Sequence, residues 1–154
     1  MSLEAYQEKL IHQLIEQERL LSKLYSVFSD QFPDHRTFWT GLSNEESRHA
    51  QLLEKLLEAA RSGKVMFDEG KVKTYTLFAF IDRLKAIIQK AENHEFGIKQ
   101  AMAQAADYET SLIEKNVFTR FDSVSEKSRN VLKVLGMETM KHIEKIKLER
   151  SRIS

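Results

Sequence analysis

Residues 42–57 read LSNEESRHAQLLEKLL, and the spacing of the apolar residues in this stretch indicates the class of fold. Its key positions follow one another in steps of four, three, four and three, namely Leu42, Glu46, His49, Leu53 and Leu56. That spacing marks one face of an α-helix, so it predicts a helix with a buried apolar seam. A carboxylate and an imidazole interrupt the seam. An isolated charge in a helical core is costly, so each needs a partner, a proton or a metal.

A second stretch repeats this pattern near the end of the chain. Residues 135–142, LGMETMKH, match residues 42–49, LSNEESRH, in a leucine, a glutamate and a histidine at the same spacing. The repeat suggests a duplicated helical hairpin with a pseudo-twofold axis. Carboxylates and imidazoles related by such an axis are well placed to hold two metal ions side by side.

The same helical period extends over most of the chain and predicts five helices, at about 3–30, 35–61, 74–91, 98–121 and from after residue 123 to about 150. Phe32-Pro33-Asp34 and Asp122-Ser123 form the tight turns of two antiparallel hairpins. We therefore predict an all-α antiparallel four-helix bundle with an extra helix in the long crossover. One domain, 1–154, would contain a hairpin at 3–62, a crossover at 63–97 and a hairpin at 98–150.

Composition supports this class and excludes several others. The chain has one proline, five glycines, no cysteine and a formal net charge of +1. The absence of cysteine excludes disulfides, thiolate metal sites and iron–sulfur clusters, so a metal would have to bind Glu, Asp and His. The near-neutral charge predicts neither nucleic acid nor an anionic membrane as a partner. No run of about 18 apolar residues and no signal-peptide pattern is evident, so we expect a soluble cytoplasmic protein.

Further seam positions carry carboxylates, and the hairpins bring them level. Glu18 and Glu46 are equidistant from the first turn, and Glu109 and Glu138 are both about equally far from the second. His142 also falls on the seam of the last helix. Taken singly, a seam glutamate more often points to solvent and a core histidine is usually just hydrogen-bonded. The metal hypothesis therefore depends on whether these side chains meet.

At these residues the chain resembles the ferritin-like superfamily, and rubrerythrins most closely. The resemblance implies a di-iron site with a Glu from the first core helix, Glu-x-x-His from the second, a Glu from the third and Glu-x-x-His from the fourth. The matching residues here are Glu18, Glu46, His49, Glu109 and His142. The resemblance also implies that Tyr25 is a hydrogen-bond partner of a ligand carboxylate, in a catalytic role.

One position departs from this motif. The last glutamate should be residue 139, which is Thr139. Glu138 is the nearest substitute ligand, but it is rotated by about 100° around the helix. The departure leaves open whether the site holds two metals, one or none.

The resemblance implies a non-haem iron protein, with two ions if the site is intact and Mn or Zn as alternatives. It further implies an oxidoreductase that acts with peroxide or O2, or one that oxidises iron. Rubrerythrins usually receive electrons from a rubredoxin-type centre, so this chain would need a separate electron donor. The alternative is a non-catalytic metal-binding or structural protein. We expect a homodimer, with Phe78, Phe80 and Ile81 as a candidate interface.

Overall fold

The computed structural model describes residues 5–62, 74–114 and 126–153. These ranges contain five α-helices and no strand, which confirms the predicted all-α bundle. The helices are α1 (Ala5–Gln31), α2 (Arg36–Arg61), α3 (Thr74–Glu92), α4 (Ile98–Glu114) and α5 (Glu126–Ser151). The predicted connector at 64–73 and the predicted second turn at 122–123 lie outside the described residues.

Aromatic side chains close the end of the bundle at which α1 turns into α2. A short 3-10 helix, Pro33–His35, makes the turn. Phe28 packs on Trp39 with ring centroids 4.8 Å apart and on Phe96 at 6.3 Å. The break between α3 and α4 therefore lies at the same end of the bundle as the first turn.

The third helix runs parallel to α1. Glu16 pairs with Lys85 at 3.3 Å and Lys23 pairs with Glu92 at 3.6 Å, so residue numbers rise together along both helices. The chain then reverses at residues 93–97, where His94 has a φ of 58°. Helix α3 thus returns the chain along the bundle, so that α4 runs parallel to α2, as in a bundle with a long crossover.

A reciprocal pair of serines joins α1 to α2. The Ser22 hydroxyl donates to the Ser43 carbonyl at 2.8 Å, and the Ser43 hydroxyl donates to the Ser22 carbonyl at the same distance. Ser22 lies one turn after Glu18, and Ser43 lies just before Glu46. The serine pair therefore fixes the relative height of these two buried carboxylates.

We expect Ser22→Ala and Ser43→Ala each to lower the free energy of unfolding by about 0.5–1.5 kcal/mol, a typical net value for a hydrogen bond. The double variant should lose less than the sum, because the two hydroxyl oxygens also contact each other at 3.0 Å and the two substitutions are therefore coupled. Urea unfolding measures both effects. Ser26→Ala, at an exposed position of α1, is the control for helix propensity. Additive losses no larger than that of the control would contradict this role.

None of the described helices is long and apolar enough to cross a lipid bilayer.

Candidate metal centre

Two groups of three side chains that could bind a metal ion meet in the core of the bundle. One group is Glu18, Glu46 and His49, and the other is Glu46, Glu109 and His142. Within each group one ligand atom per residue lies within 4.8 Å of the others, and all five residues are buried. Glu46 belongs to both groups. The structure thus brings together five of the six residues that the sequence named as candidate ligands, for which the sequence left open whether they meet.

Each histidine directs its Nδ1 atom toward these carboxylates. Nδ1 of His49 lies 3.4 Å from Glu46 and 3.9 Å from Glu18. Nδ1 of His142 lies 2.8 Å from Glu46 and 3.0 Å from Glu109. The two imidazole rings stack with centroids 5.6 Å apart. The helical repeat recognised in the sequence therefore appears as two similar half-sites, one on either side of Glu46.

Several ligand atoms of these half-sites have no hydrogen-bond partner among the described residues. They are Glu18 Oε2, Glu46 Oε1, Glu109 Oε2 and His49 Nδ1, all of them buried. A buried polar atom without a partner costs about 1–3 kcal/mol, and more if charged. Carboxylate oxygens and imidazole nitrogens are the donors that Fe(II), Mn(II) and Zn(II) accept. These four atoms without hydrogen-bond partners therefore fit the ligands of a metal centre.

The carboxylates strongly perturb the two histidines. Burial by itself lowers the pKa of His49, but the close approach and negative charge of Glu18 and Glu46 outweigh it and raise that pKa to about 11. Burial is likewise outweighed at His142, where Glu109 and Glu46 raise the pKa to about 11. Burial and the neighbouring Glu46 raise the pKa of Glu18 well above its usual value. Without a metal, both histidines are therefore protonated at pH 7.

The outer nitrogen of each histidine contacts a further carboxylate. Nε2 of His49 donates to Glu138, and Nε2 of His142 donates to Glu45. Arg48 and Lys145 hold these two outer carboxylates from the surface. Glu138, predicted as a substitute ligand, thus lies on the far side of His49 and in neither converging group. Burial raises the pKa of Glu45 and of Glu138, but the adjacent cations and histidine bring both pKa values below the usual range.

Glu45 is a residue that the sequence reasoning did not assign. It occupies the position in residues 42–49 that Glu138 occupies in residues 135–142. The internal repeat was therefore the signal that could have identified it as a contact of a histidine.

Thr139 and Tyr25 are both buried. The Thr139 hydroxyl donates to the Leu135 carbonyl at 2.8 Å within its own helix, so its hydrogen-bonding capacity is directed to the backbone. The Tyr25 hydroxyl has no hydrogen-bond partner within the described ranges. Burial, followed by the charges of Glu109 and Glu46, raises the pKa of Tyr25 well above its usual value. Tyr25 is therefore a neutral phenol close to Glu109 and Glu46.

A family model, described as rubrerythrin, matches residues 9–130. The match contains Glu18, Tyr25, Glu46, His49 and Glu109, and it ends before Thr139 and His142. No curated protein and no solved structure matches the chain. Since the family match extends over well more than half of the sequence, the chain belongs to the rubrerythrin family.

Proposed function

We propose that this member of the rubrerythrin family is a non-haem di-iron protein that acts as an oxidoreductase with peroxide or O2. The observation that carries the proposal is the pair of buried half-sites that share Glu46 and leave four ligand atoms unsatisfied. A charged cluster of this kind is expensive in a helical core unless cations neutralise it. Two metal ions, one in each half-site, would do so.

The ligand set of this proposal is Glu18, Glu46, His49, Glu109 and His142. Iron is the metal that the family favours, and the same oxygen and nitrogen donors also accept Mn(II) and Zn(II). Three carboxylates against two divalent ions leave one net positive charge, because Thr139 supplies no fourth carboxylate. This balance favours the divalent over the trivalent state of both ions.

The chain's own residues would prepare the site for redox chemistry. Bound iron supplies the electrons and the Lewis acidity. Glu46 lies between the half-sites and contacts both histidines, so it would hold the two ions together. The five residues of the ligand set are at most 1% exposed, so bulk water is excluded from them. The Tyr25 phenol would donate a hydrogen bond to a ligand carboxylate, which would place its proton at the edge of the centre.

The partners in this proposal are metal ions and, for peroxide reduction, a separate electron donor. We propose a separate electron donor because a rubredoxin-type centre binds iron through cysteines, and this sequence contains none. Iron oxidation requires no such donor and is the variant of the proposal that depends only on this chain. A homodimer and a cytoplasmic location stay predictions. Of the three candidate interface residues, Phe78 is exposed, Phe80 is partly buried and Ile81 is buried.

We expect the Fe(II) bound to anaerobically loaded protein to be oxidised by about one peroxide per two iron ions, and near-ultraviolet absorption to rise as it is oxidised. The reason is that both ions would lie within reach of one small oxidant. Stopped-flow absorption measures the rate, and Glu58→Ala, at an exposed position of α2, is the control that should react like the wild type. Metal that binds but reacts no faster than free Fe(II) would contradict the oxidoreductase proposal.

The second candidate function is non-catalytic metal binding by an incomplete site, and Thr139 is the observation that favours it. Replacing Thr139 with Glu tests whether the site is incomplete because it lacks a fourth carboxylate. We expect Thr139→Glu to raise metal affinity at least about 10-fold, since the added carboxylate would neutralise the remaining positive charge. The metal-free variant should be less stable than the wild type, because it would bury a further charge. Titration with Fe(II) and thermal unfolding give the two results.

Thr139→Gln is the matched control, because it has the size of Glu without the charge. An equal gain in affinity for both variants would attribute the effect to packing rather than to charge.

A further inference from the structure

The two outer carboxylates bind histidines across the bundle rather than along their own helix. Glu138 of α5 accepts from Nε2 of His49 on α2, and Glu45 of α2 accepts from Nε2 of His142 on α5. The surface cations follow the same rule. Arg48 of α2 holds Glu138, with bonds of 2.9 and 2.8 Å, and Lys145 of α5 holds Glu45 at 3.0 Å. Each carboxylate therefore binds one histidine and one cation of the opposite helix.

This pairing differs from the one that local helix geometry would suggest. Glu45 and His49 are four residues apart on α2, and so are Glu138 and His142 on α5. Side chains at that spacing are neighbours on a helix surface and commonly pair. Here the local partners are exchanged, and each histidine is held between two helices.

A carboxylate at Nε2 determines how the imidazole can bind a metal. When Nε2 carries the proton and donates it to the carboxylate, the lone pair of the neutral ring is at Nδ1. In both histidines Nδ1 is the atom that faces the shared Glu46. Partners of this kind fix the tautomer and orientation of a ligand histidine, and their loss typically costs about 10–100-fold in metal affinity.

The outer carboxylates are also the part of the centre nearest to the solvent. The side chains of Glu138 and Glu45 are 23% and 31% exposed, whereas those of His49 and His142 are almost fully buried. The carboxylates can therefore be replaced without opening a cavity in the core or removing any of the five ligands.

Building on the function proposed above, we propose that Glu45 and Glu138 are positioning residues that act crosswise. Glu138 of α5 orients His49 for the ion bound with Glu18, and Glu45 of α2 orients His142 for the ion bound with Glu109. The metal centre is thus interlocked, because each half-site depends on a carboxylate from the helix that carries the other half-site's histidine.

Double-mutant cycles with Co(II), whose visible absorption reports its ligands, test this assignment. We expect Glu138→Gln to weaken binding of one ion by about 10–100-fold and to change its spectrum. The loss should persist in a His142→Ala background, in which the His49 half-site is left, and should vanish in a His49→Ala background. Glu45→Gln should show the reverse dependence. Glu138→Asp, which keeps the carboxylate, should restore part of the affinity.

Two exposed glutamates provide matched controls, Glu58→Gln on α2 and Glu144→Gln on α5, and neither should alter Co(II) binding. If Glu138→Gln fails to fold, Arg48→Gln replaces it, and this variant should weaken the His49 ion only. A Glu138 effect that persists without His49 and vanishes without His142 would overturn the crosswise assignment. So would losses no larger than those of the controls. Wild-type protein that binds no Co(II) or Fe(II) would overturn the proposed function and this inference together.

Discussion

Replacing Glu46 with alanine is expected to abolish metal binding at both half-sites, whereas the loss of any other single ligand should affect mainly one. Glu46 is the residue common to the two converging groups, and its oxygens lie 3.4 Å from Nδ1 of His49 and 2.8 Å from Nδ1 of His142. Removal of a partner outside the ligand set costs about 10–100-fold in metal affinity, so the loss of a shared ligand should exceed about 100-fold for each ion. Metal analysis after Fe(II) loading and desalting measures this effect.

The charge of Glu46 also affects the stability of the metal-free protein, and the isosteric variant Glu46→Gln tests this effect. Glu46 places a buried carboxylate beside Glu18, and this proximity contributes to the raised pKa of Glu18. Glu46 also contacts both histidines, which are protonated without a metal. We therefore expect metal-free Glu46→Gln to be less stable than the metal-free wild type at pH 7, because two buried cations lose a shared counter-charge and this loss outweighs the relief of repulsion with Glu18. Glu58→Ala is the control on the same helix. Wild-type metal content in Glu46→Ala would contradict the assignment of a shared ligand.

Metal affinity is expected to rise steeply with pH. Both histidines have a pKa of about 11 in the metal-free protein, so each must lose a proton before its Nδ1 atom can bind a metal. The affinity of each half-site should therefore rise about 10-fold per pH unit below pH 11, and binding should release about one proton per imidazole. Calorimetry in buffers of different ionisation enthalpy counts these protons. His142→Ala should release about one fewer.

The metal-free protein should show the opposite trend in stability. The folded pKa of each histidine lies above its unfolded value of 6.5. The stability that the histidines contribute is therefore fully present below pH 6.5 and is lost as the pH rises toward 11. We expect metal-free protein to become less stable over this window while metal-loaded protein gains affinity. Release of less than about half a proton per ion, or an affinity independent of pH, would contradict the raised pKa values of the two histidines.

The sequence was sufficient to predict the bundle because its signals are local. Steps of three and four residues define each helix, and Pro33 marks the first turn. The same spacing placed Glu18, Glu46, His49, Glu109 and His142 on buried faces. Equal distances from a turn then predicted correctly that Glu18 and Glu46 would lie level.

The contacts between helices could not be predicted in this way. Whether α2 and α5 face each other depends on how two hairpins dock, and no helical period reports that angle. The crosswise contacts of Glu45 and Glu138 follow from this docking. Helix geometry predicts the rotation of about 100° that separates Glu138 from residue 139. It does not predict the contact of Glu138 with Nε2 of His49, because that contact depends on the docking. The height shared by the two half-sites also required the structure.

The most direct test of the metal centre is a crystal structure of the protein loaded anaerobically with Fe(II), with anomalous data collected at the iron edge. If two ions share Glu46, we expect two anomalous peaks, one between Glu18 and His49 and the other between Glu109 and His142. The absence of peaks in fully loaded crystals, or iron bound only at surface carboxylates, would contradict a metal centre in the core of this bundle.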